Sequence, residues 1–128
     1  MNPETNIQNS CLLATGDHPD VLCWRQQSGV FRTMDGDRVV SVGQPGMADL
    51  GMIVPVLITA EMVGKTIGVA VQPEVKTRTG RQASDQQTWQ AAVARSGGVY
   101  RLLRSANDMQ QLIADVRAGK ALRRRMPE

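Results

Sequence analysis

The sequence predicts an α/β protein with a mixed central β-sheet flanked by helices. Helix-capping signals stand near the start and in the last third of the chain, and short apolar stretches bounded by Gly and Pro lie between them. The resulting order is one helix, several strands, and then helix, strand and helix, which is typical of helices packed on a mixed sheet. The 128 residues, 41% of them hydrophobic, suit one core. We therefore expect one domain over residues 1–119 and a basic tail over 120–128.

The first helix is predicted over residues 2–16. Asn2 is a favourable N-cap, Pro3 suits the first helical position, and Glu4 suits the positive end of the helix dipole. Gly16 is expected to end the helix.

Short strands and turns are predicted to follow. Strands are expected at 20–27, 29–33 and 38–42, with a turn at the "MDGD" of 34–37 and a Gly/Pro loop at 43–49. The apolar stretch 50–58 contains Pro55, which argues against a continuous central strand. Residues 59–64 are expected to form a helical turn or a loop.

The strongest strand pattern is "KTIGVAVQPEVKT", residues 65–77. Because side chains alternate along a strand, this pattern predicts two faces. One face, expected to point into the core, carries Ile67, Val69, Val71, Pro73 and Val75. The other face carries Gly68, Ala70, Gln72, Glu74 and Lys76.

The remaining chain predicts a helix, a strand and a last helix. The helix over 84–98 is expected to have Ser84 as its N-cap, Gln87 completing a capping box, and Gly97 or Gly98 as its stop. Residues 99–105 predict a strand.

For the last helix, over 105–119, Ser105 and Asp108 predict a capping box. Its apolar stripe is expected at Met109, Leu112, Ile113 and Val116.

The pair Glu74 and Lys76 is the first candidate for chemistry. The two side chains are expected on one side of the strand, about 6–7 Å apart along it. The small neighbours Gly68 and Ala70 leave that surface open. A carboxylate and an ammonium there suit a divalent cation and a water beside a phosphate. Taken alone, however, such a pair is more often a solvated strand end.

A metal site for phosphate chemistry needs a second acid. Asp49 is the best candidate, because it follows the loop "GQPGMA" and precedes the apolar segment that leads to the Glu74 strand. The backbone carbonyl of Val75 is a further candidate ligand.

Four segments together resemble a known family: "WRQQSG" (24–29), "GQPGMADL" (43–50), "PVLITAEMVGKTIGVAV" (55–71) and "EVKTRTGRQASDQQTWQAAVARSGGVY" (74–100). In this order they are similar to the Arg-x-x-Ser-Gly, Gly-x-Pro-Asp-Leu and Glu-Val-Lys-Thr patterns of the virus-type replication-repair nuclease (VRR-NUC) domain. That domain belongs to the PD-(D/E)XK nuclease superfamily, and the likeness is to its small standalone phage form. The resemblance covers most of the chain.

The resemblance implies a restriction-endonuclease-like core that cleaves DNA phosphodiesters with Mg²⁺ or Mn²⁺. By position it implies that Asp49 and Glu74 bind the metal, that Lys76 is the catalytic lysine, and that Gln86 and Glu4 complete the catalytic set. It also implies a homodimer acting on branched DNA such as a four-way junction, in phage or prophage DNA replication, repair or recombination.

Two positions depart from the family pattern. Ala48 stands where the family has the Pro of Pro-Asp, and this changes only the stiffness of the turn. Pro73 stands where an apolar strand residue is usual. Since proline has no N–H to donate, the strand is expected to be bulged or unpaired on that side.

Several candidates keep a second interpretation. Helical spacing places Gln86 on one face with Trp89 and Val93, so Gln86 can look inward, but a glutamine there is more often a polar residue at a helix start. Glu4 is equally well an ordinary first-turn acid.

Three arginines are candidates for holding DNA. Arg78 and Arg81 follow Lys76 and are expected to lie near the phosphate, whereas Arg25 is either a DNA contact or a solvated strand arginine. The run 123–125 is most simply a solvated tail that can also bind phosphate.

The sequence therefore predicts a Mg²⁺-dependent, structure-selective endodeoxyribonuclease. The alternative is a catalytically inactive DNA-binding module that keeps the fold. A small-molecule α/β enzyme is disfavoured because there is no phosphate-cradling Gly loop or nucleophile elbow. Net charge is +3, and no apolar run reaches the roughly 18 residues of a membrane span. We expect a cytoplasmic protein without a membrane partner, in the bacterial host if it is phage-encoded.

Overall fold

The computed structural model describes residues 2–27 and 29–123, which form helices and strands in the following order. They are α1 (Pro3–Ala14), a 3-10 turn (Thr15–Asp17), β1 (Leu22–Arg25), β2 (Gly29–Arg32), β3 (Val39–Val42), β4 (Leu50–Ile53), a 3-10 turn (Ala60–Met62), β5 (Val71–Val75), α2 (Ser84–Arg95), β6 (Val99–Leu103) and α3 (Ala106–Arg117). The α/β class is confirmed. Within this described part of the chain, no helix is long and apolar enough to cross a membrane.

The strands do not form the single central sheet that the sequence predicted. In the described residues they form three two-stranded sheets, which pair β1 with β4, β2 with β3, and β5 with β6. The β2–β3 pair is antiparallel and the β5–β6 pair is parallel. Each strand has only four or five residues, and Pro55 and Pro73 each remove a backbone donor near a strand.

The chain divides into two compact units, Met1–Met52 and Ile53–Glu128. They are called unit 1 and unit 2 below, and each is described by itself. The expected extent of one domain over 1–119 stays a prediction. Of the expected tail, residues 124–128 lie outside the described residues.

Unit 1 begins with α1, whose predicted N-terminal cap is confirmed. The Asn2 Oδ1 atom accepts a hydrogen bond from the Glu4 N–H at 2.8 Å, and Pro3 is the first helical residue. The helix does not end at Gly16 as predicted. It ends at Ala14 and tightens into a 3-10 turn, because the Thr15 hydroxyl donates to the Leu12 carbonyl at 2.6 Å.

The β2–β3 hairpin encloses the predicted turn at 34–37. The Asp35 carboxylate accepts hydrogen bonds from the Thr33 hydroxyl at 2.5 Å and from the Asp37 N–H at 3.0 Å, which lower the pKa of Asp35. Gly36 takes the positive φ of +77° that the turn requires. All four residues of each strand are exposed, so this hairpin presents both of its faces.

Unit 2 is built on the succession β5, α2 and β6, with β5 and β6 parallel. Val71 pairs with Val99 and Val75 pairs with Leu103. The observed β5 is much shorter than the predicted 65–77, although hydrogen bonds at its ends extend the pairing from Ala70 to Lys76.

The start of α2 differs from the prediction by one residue. Ala83 is the N-cap and Ser84 the first helical residue, so the expected cap at Ser84 with Gln87 is wrong. Gln86, as the third helical residue, reaches back, and its Oε1 atom accepts from the Ala83 N–H at 2.9 Å. At the other end Gly97 has a φ of +85°, as expected of a helix stop.

The core of unit 2 lies between the β5–β6 pair and α3. Val99, Leu103 and Leu112 are buried, and partly buried hydrophobics pack against them, namely Val69, Val71, Met109, Val116 and Ala121. Four residues predicted for this core are exposed: Val75 (74%), Ile67 (58%), Ile113 (42%) and Pro73. Val75 is exposed although its partner Leu103 is buried, because α3 packs on β6 and no described strand flanks the other side of β5.

Pro73 is accommodated by the direction of the strand pairing. Val99 N–H bonds to the Ala70 carbonyl and Lys76 N–H to the Leu103 carbonyl, so even-numbered residues of β5 direct their backbone groups toward β6. Pro73 is odd-numbered, and its missing donor faces the opposite edge. In the described residues that edge pairs with no strand, which confirms the prediction that the strand is unpaired on that side.

The start of α3 confirms Ser105 as N-cap, since its hydroxyl accepts from the Asp108 N–H at 3.1 Å. In a capping box the Asp108 side chain would accept from the N–H of the N-cap residue Ser105. Here the Asp108 carboxylate accepts instead from the N–H of Arg104, one residue before the cap, at 2.8 Å.

We expect Gly98→Ala to destabilise unit 2 by about 1–3 kcal/mol. A Cβ at Gly98 would lie 2.9 Å from both Ile53 Cδ1 and Val93 Cγ1, in a buried setting. Gly68→Ala is the matched control, because a Cβ there meets nothing within 4 Å. Urea unfolding of both variants tests this, and an unchanged midpoint for Gly98→Ala would contradict the packing.

The ionised Asp115 side chain is expected to stabilise the fold in a pH-dependent way. Hydrogen bonds from Gln111 and then Arg101 hold the pKa of Asp115 below its ordinary 3.8. Because the folded pKa is the lower one, this stabilisation is fully present above pH 3.8 and is lost as pH falls through the folded pKa. Unfolding midpoints of wild type and Asp115→Asn, followed from about pH 5 to about pH 2, should therefore converge in acid. Asp20→Asn, at an exposed position, is the control.

Candidate active site

Glu74 and Lys76 meet at the carboxyl end of β5. The Lys76 Nζ atom lies 3.4 Å from Glu74 Oε1, and the two side chains are 21% and 27% exposed, respectively. They share the strand face that α2 covers, so the predicted same-side placement is confirmed. A half-buried ion pair of this kind is more ordered than one at a fully solvated strand end.

Gln86 connects this ion pair to the start of α2. Its Nε2 atom donates to Glu74 Oε1 at 2.6 Å, while its Oε1 atom accepts from the Ala83 N–H at 2.9 Å. The helix start thus fixes which end of the amide faces Glu74. Glu74 Oε1 takes both the lysine and the glutamine, and no hydrogen bond among the described residues occupies Glu74 Oε2.

A second polar contact secures α2 on β5 one step further from the site. The Trp89 indole N–H donates to Gln72 Oε1 at 2.9 Å, and Trp89 is partly buried. Gln72 and Glu74 lie on the same face of the strand, and Gln86 and Trp89 lie on the same face of the helix. The two contacts between α2 and β5 are therefore adjacent. Trp89 therefore packs and positions, in agreement with its interpretation as a packing residue.

Arg104 orders the loop after Lys76, a role that was not predicted from the sequence. Its Nη1 atom donates to the carbonyls of Thr77, Arg78 (3.4 Å) and Gly80 (2.8 Å). The Gly80 N–H closes the same loop on the Thr77 carbonyl at 3.1 Å. No sequence pattern announces such a contact, because it joins residues about 25 positions apart through backbone atoms.

The two predicted DNA contacts on this side, Arg78 and Arg81, are exposed. The hydrogen bonds among the described residues engage the backbone carbonyl of Arg78, and none of them uses the guanidinium group of Arg78 or Arg81. Both lie within five positions of Lys76, on and just after the loop that Arg104 holds.

Asp49 lies in unit 1, beside a cavity of about 330 Å³. The pairing of β1 with β4 places it there, since the Gln26 N–H donates to the Asp49 carbonyl at 3.0 Å and Gln26 Nε2 donates to the Ala48 carbonyl at 3.0 Å. The cavity is lined by amide, charged and apolar side chains: Gln8, Arg25, Gln26, Gln27, Phe31, Met47 and Asp49.

The other two predicted residues of unit 1 have different surroundings. Arg25 lines the cavity, and its Nη2 atom donates to Asn9 Oδ1 of α1. Glu4 is exposed in the first turn of α1 and does not line the cavity, whereas Gln8, one turn later, does.

A larger cavity of about 610 Å³ lies elsewhere in unit 2, between α2, β6 and the residues after α3. It contains none of the predicted site residues. Arg95, Arg101 and Arg123 line it, and Arg101 is already paired with Asp115 at 2.8 Å.

The donor set for a metal ion is spread over the two units. Among residues 2–27 and 29–123, no three or more His, Cys, Asp or Glu side chains group to hold one. Of the predicted ligands in unit 2, Glu74 Oε2 has no hydrogen bond among the described residues, and the strand pairing directs the Val75 carbonyl to the open edge of β5; both are oxygens of the kind that a hard cation binds. Asp49 belongs to unit 1. The metal-binding roles of Asp49, Glu74 and Val75 stay predictions.

Comparison with known proteins adds no family to this description, because the chain matches no family model, no curated protein and no solved structure. The VRR-NUC resemblance therefore stays a prediction that rests on the sequence motifs.

We expect Arg104→Ala to loosen the loop over 77–80 without unfolding unit 2. Loss of a charged donor to three carbonyls should speed hydrogen exchange of the Gly80 amide about tenfold. Arg117→Ala, at an exposed position in the last turn of α3, is the charge-matched control. Equal exchange in both variants would show that Arg104 does not hold the loop.

Proposed function

We propose that this protein is a metal-dependent, structure-selective endodeoxyribonuclease that hydrolyses phosphodiesters in branched DNA. The observation that carries the proposal is the convergence of Lys76 and Gln86 on the Glu74 carboxylate, at 3.4 Å and 2.6 Å. Those three residues are among the five to which the sequence motifs assign catalytic roles, the other two being Asp49 and Glu4. The site lies at the carboxyl end of β5, the usual position of α/β active sites.

In the proposed reaction, Lys76 holds and activates the attacking water. Its ammonium is fixed beside Glu74 and is only 21% exposed, so its charge is less screened than that of a surface lysine. When a phosphate binds, the ammonium offsets negative charge that develops on the phosphoryl oxygens and orients a water toward phosphorus.

Gln86 acts on Glu74 and not on the substrate in this arrangement. Both Gln86 and Lys76 contact Oε1 of Glu74, so that Oε2, which no hydrogen bond among the described residues occupies, stays available as a ligand. Glu74 Oε2 and the Val75 carbonyl are the two hard oxygen ligands that we propose from unit 2, and the sequence motifs assign a further metal-binding role to Asp49. Bound Mg²⁺ or Mn²⁺ would polarise the scissile phosphate and lower the pKa of a coordinated water.

Positively charged side chains in each unit suit a DNA substrate. In unit 2, Arg78 and Arg81 are exposed within five positions of Lys76; in unit 1, Arg25 lines the cavity; and the net charge of the chain is +3. Such contacts to phosphate hold the substrate without reading its sequence. A homodimer, which the resemblance implies, would offer one site to each of two strands.

A second candidate function is a DNA-binding module without catalysis. The direct ion pair between Lys76 and Glu74 favours it, because this pair neutralises the carboxylate and is complete without a metal. The two candidates differ in whether junction DNA is cut or only bound.

Lys76→Ala is expected to lower the rate of cleavage of a synthetic four-way junction about 10²–10⁴-fold, the usual worth of a positioned proton-transfer group. Lys65→Ala removes the same charge from an exposed position outside the site and should keep the wild-type rate. Cleavage is measured on gels in Mg²⁺, in Mn²⁺ and in EDTA, and wild type should cut only with metal.

A junction that wild type binds but leaves uncut with either metal would refute the nuclease and support the binding module. Equal rates for Lys76→Ala and Lys65→Ala would remove Lys76 from the catalytic set.

A further inference from the structure

The cavity of unit 1 contains an aromatic ring that is exposed on a short hairpin. Phe31 is the single phenylalanine of the chain and is 45% exposed. Its ring lies over Gly29, where an added Cβ would stand 3.5 Å from the ring atoms Cε2 and Cζ. The ring therefore lies close to Gly29, and Phe31 also lines the cavity while remaining partly open to solvent.

The polar groups around the ring are mostly amides. Gln8 and Gln27 line the cavity, and no hydrogen bond described in residues 2–27 and 29–123 engages their side-chain amides. Gln26 Nε2, in contrast, is used by the Ala48 carbonyl. Each free amide offers a donor and an acceptor side by side, which is the pattern that pairs with the edge of a nucleobase.

The volume of the cavity and the side chains at its rim also suit a nucleobase. Its volume of about 330 Å³ lies within the range of about 300–1,000 Å³ that small-molecule sites occupy. Met47, 43% exposed, adds apolar surface, and the Arg25 guanidinium supplies positive charge for a backbone phosphate. A flat ring, free amides and one cation are what proteins use to hold an unpaired base.

We propose that this cavity binds one unpaired nucleobase of the DNA substrate, stacked on Phe31 and hydrogen-bonded by Gln8 and Gln27. Extrusion of a base costs energy in paired DNA and little where the base is already unpaired. Base capture next to Asp49 would therefore select branched or distorted DNA by its structure. The identity of the ligand as DNA rests on the proposed function, whereas the pocket chemistry does not require cleavage.

The test measures binding in EDTA, so that cleavage plays no part. A duplex with a single unpaired 2-aminopurine is compared with the same duplex fully paired, by anisotropy of a terminal dye and by 2-aminopurine fluorescence. We expect wild type to bind the duplex with the unpaired base about tenfold more tightly, as one stacked base contributes. The fluorescence of the analogue should be quenched on binding.

Two variants change the stacking residue, a third is a control, and a fourth changes one of the amides. Phe31→Leu keeps an apolar side chain and should reduce the preference to within about twofold, whereas Phe31→Trp should retain it, because both large rings stack. Val30→Ala, at the neighbouring position of β2 and 69% exposed, is the control and should behave as wild type. Gln27→Leu, at an exposed loop position, should weaken the preference without touching the hairpin.

Equal affinity of wild type for the two duplexes, absence of DNA binding, or an unchanged preference in both Phe31→Leu and Gln27→Leu would each overturn the inference. The outcome is separable from that of the nuclease proposal. A preference without junction cleavage in either Mg²⁺ or Mn²⁺ supports the pocket and refutes the enzyme, and cleavage without a preference does the reverse.

Discussion

The parallel pairing of β5 with β6 is the constraint on which the candidate active site depends. In a parallel ladder the side chains alternate between the two faces of the sheet, and the backbone N–H and C=O groups alternate between the two edges of the strand. Every second residue of β5 therefore shares both the direction of its side chain and the direction of its backbone groups. Glu74 and Lys76 therefore direct their side chains to α2 and their backbone groups to β6. Val75 does the opposite, and its carbonyl faces the open edge. A one-residue shift in register would reverse all these directions at once and dismantle the site.

The helix that covers this face contributes more than packing. Gln86 uses one end of its amide to satisfy the helix start at Ala83 and the other end to hold Glu74. An amide can be placed either way round, and the backbone donor decides which end faces the carboxylate. The hydrogen bond that caps the helix and the hydrogen bond that holds Glu74 are thus made by the same side chain. Arg104 does the equivalent work on the other side of Lys76, where its guanidinium gathers the carbonyls of the next loop.

Local signals in the sequence predicted local features, and features that depend on distant neighbours were missed. The caps at Asn2 and Ser105 were predictable because the capping atoms lie within three residues. The exposure of Val75 was not, since strand alternation gives a face and says nothing about whether a helix covers it. The division into small sheets and the contacts of Arg104 likewise depend on pairings across the chain. The order of the sequence motifs placed Gln86 in the site. The helix cap was predicted at Ser84 with Gln87, but the N-cap lies one residue earlier, at Ala83, and Gln86 is therefore the third helical residue.

Pro73 is the position where the family pattern and this chain differ next to the proposed metal ligand. A proline in a strand is costly where its absent N–H would have paired. Here the register directs that missing donor to the edge of β5 where no described strand lies, and the pairing of Glu74 with Leu102 is kept. The same edge carries the Val75 carbonyl, the second hard oxygen beside Glu74. Proline also discourages another strand from pairing along this edge. A residue that first looks like a defect in the strand thus helps to keep the edge that carries the Val75 carbonyl unpaired.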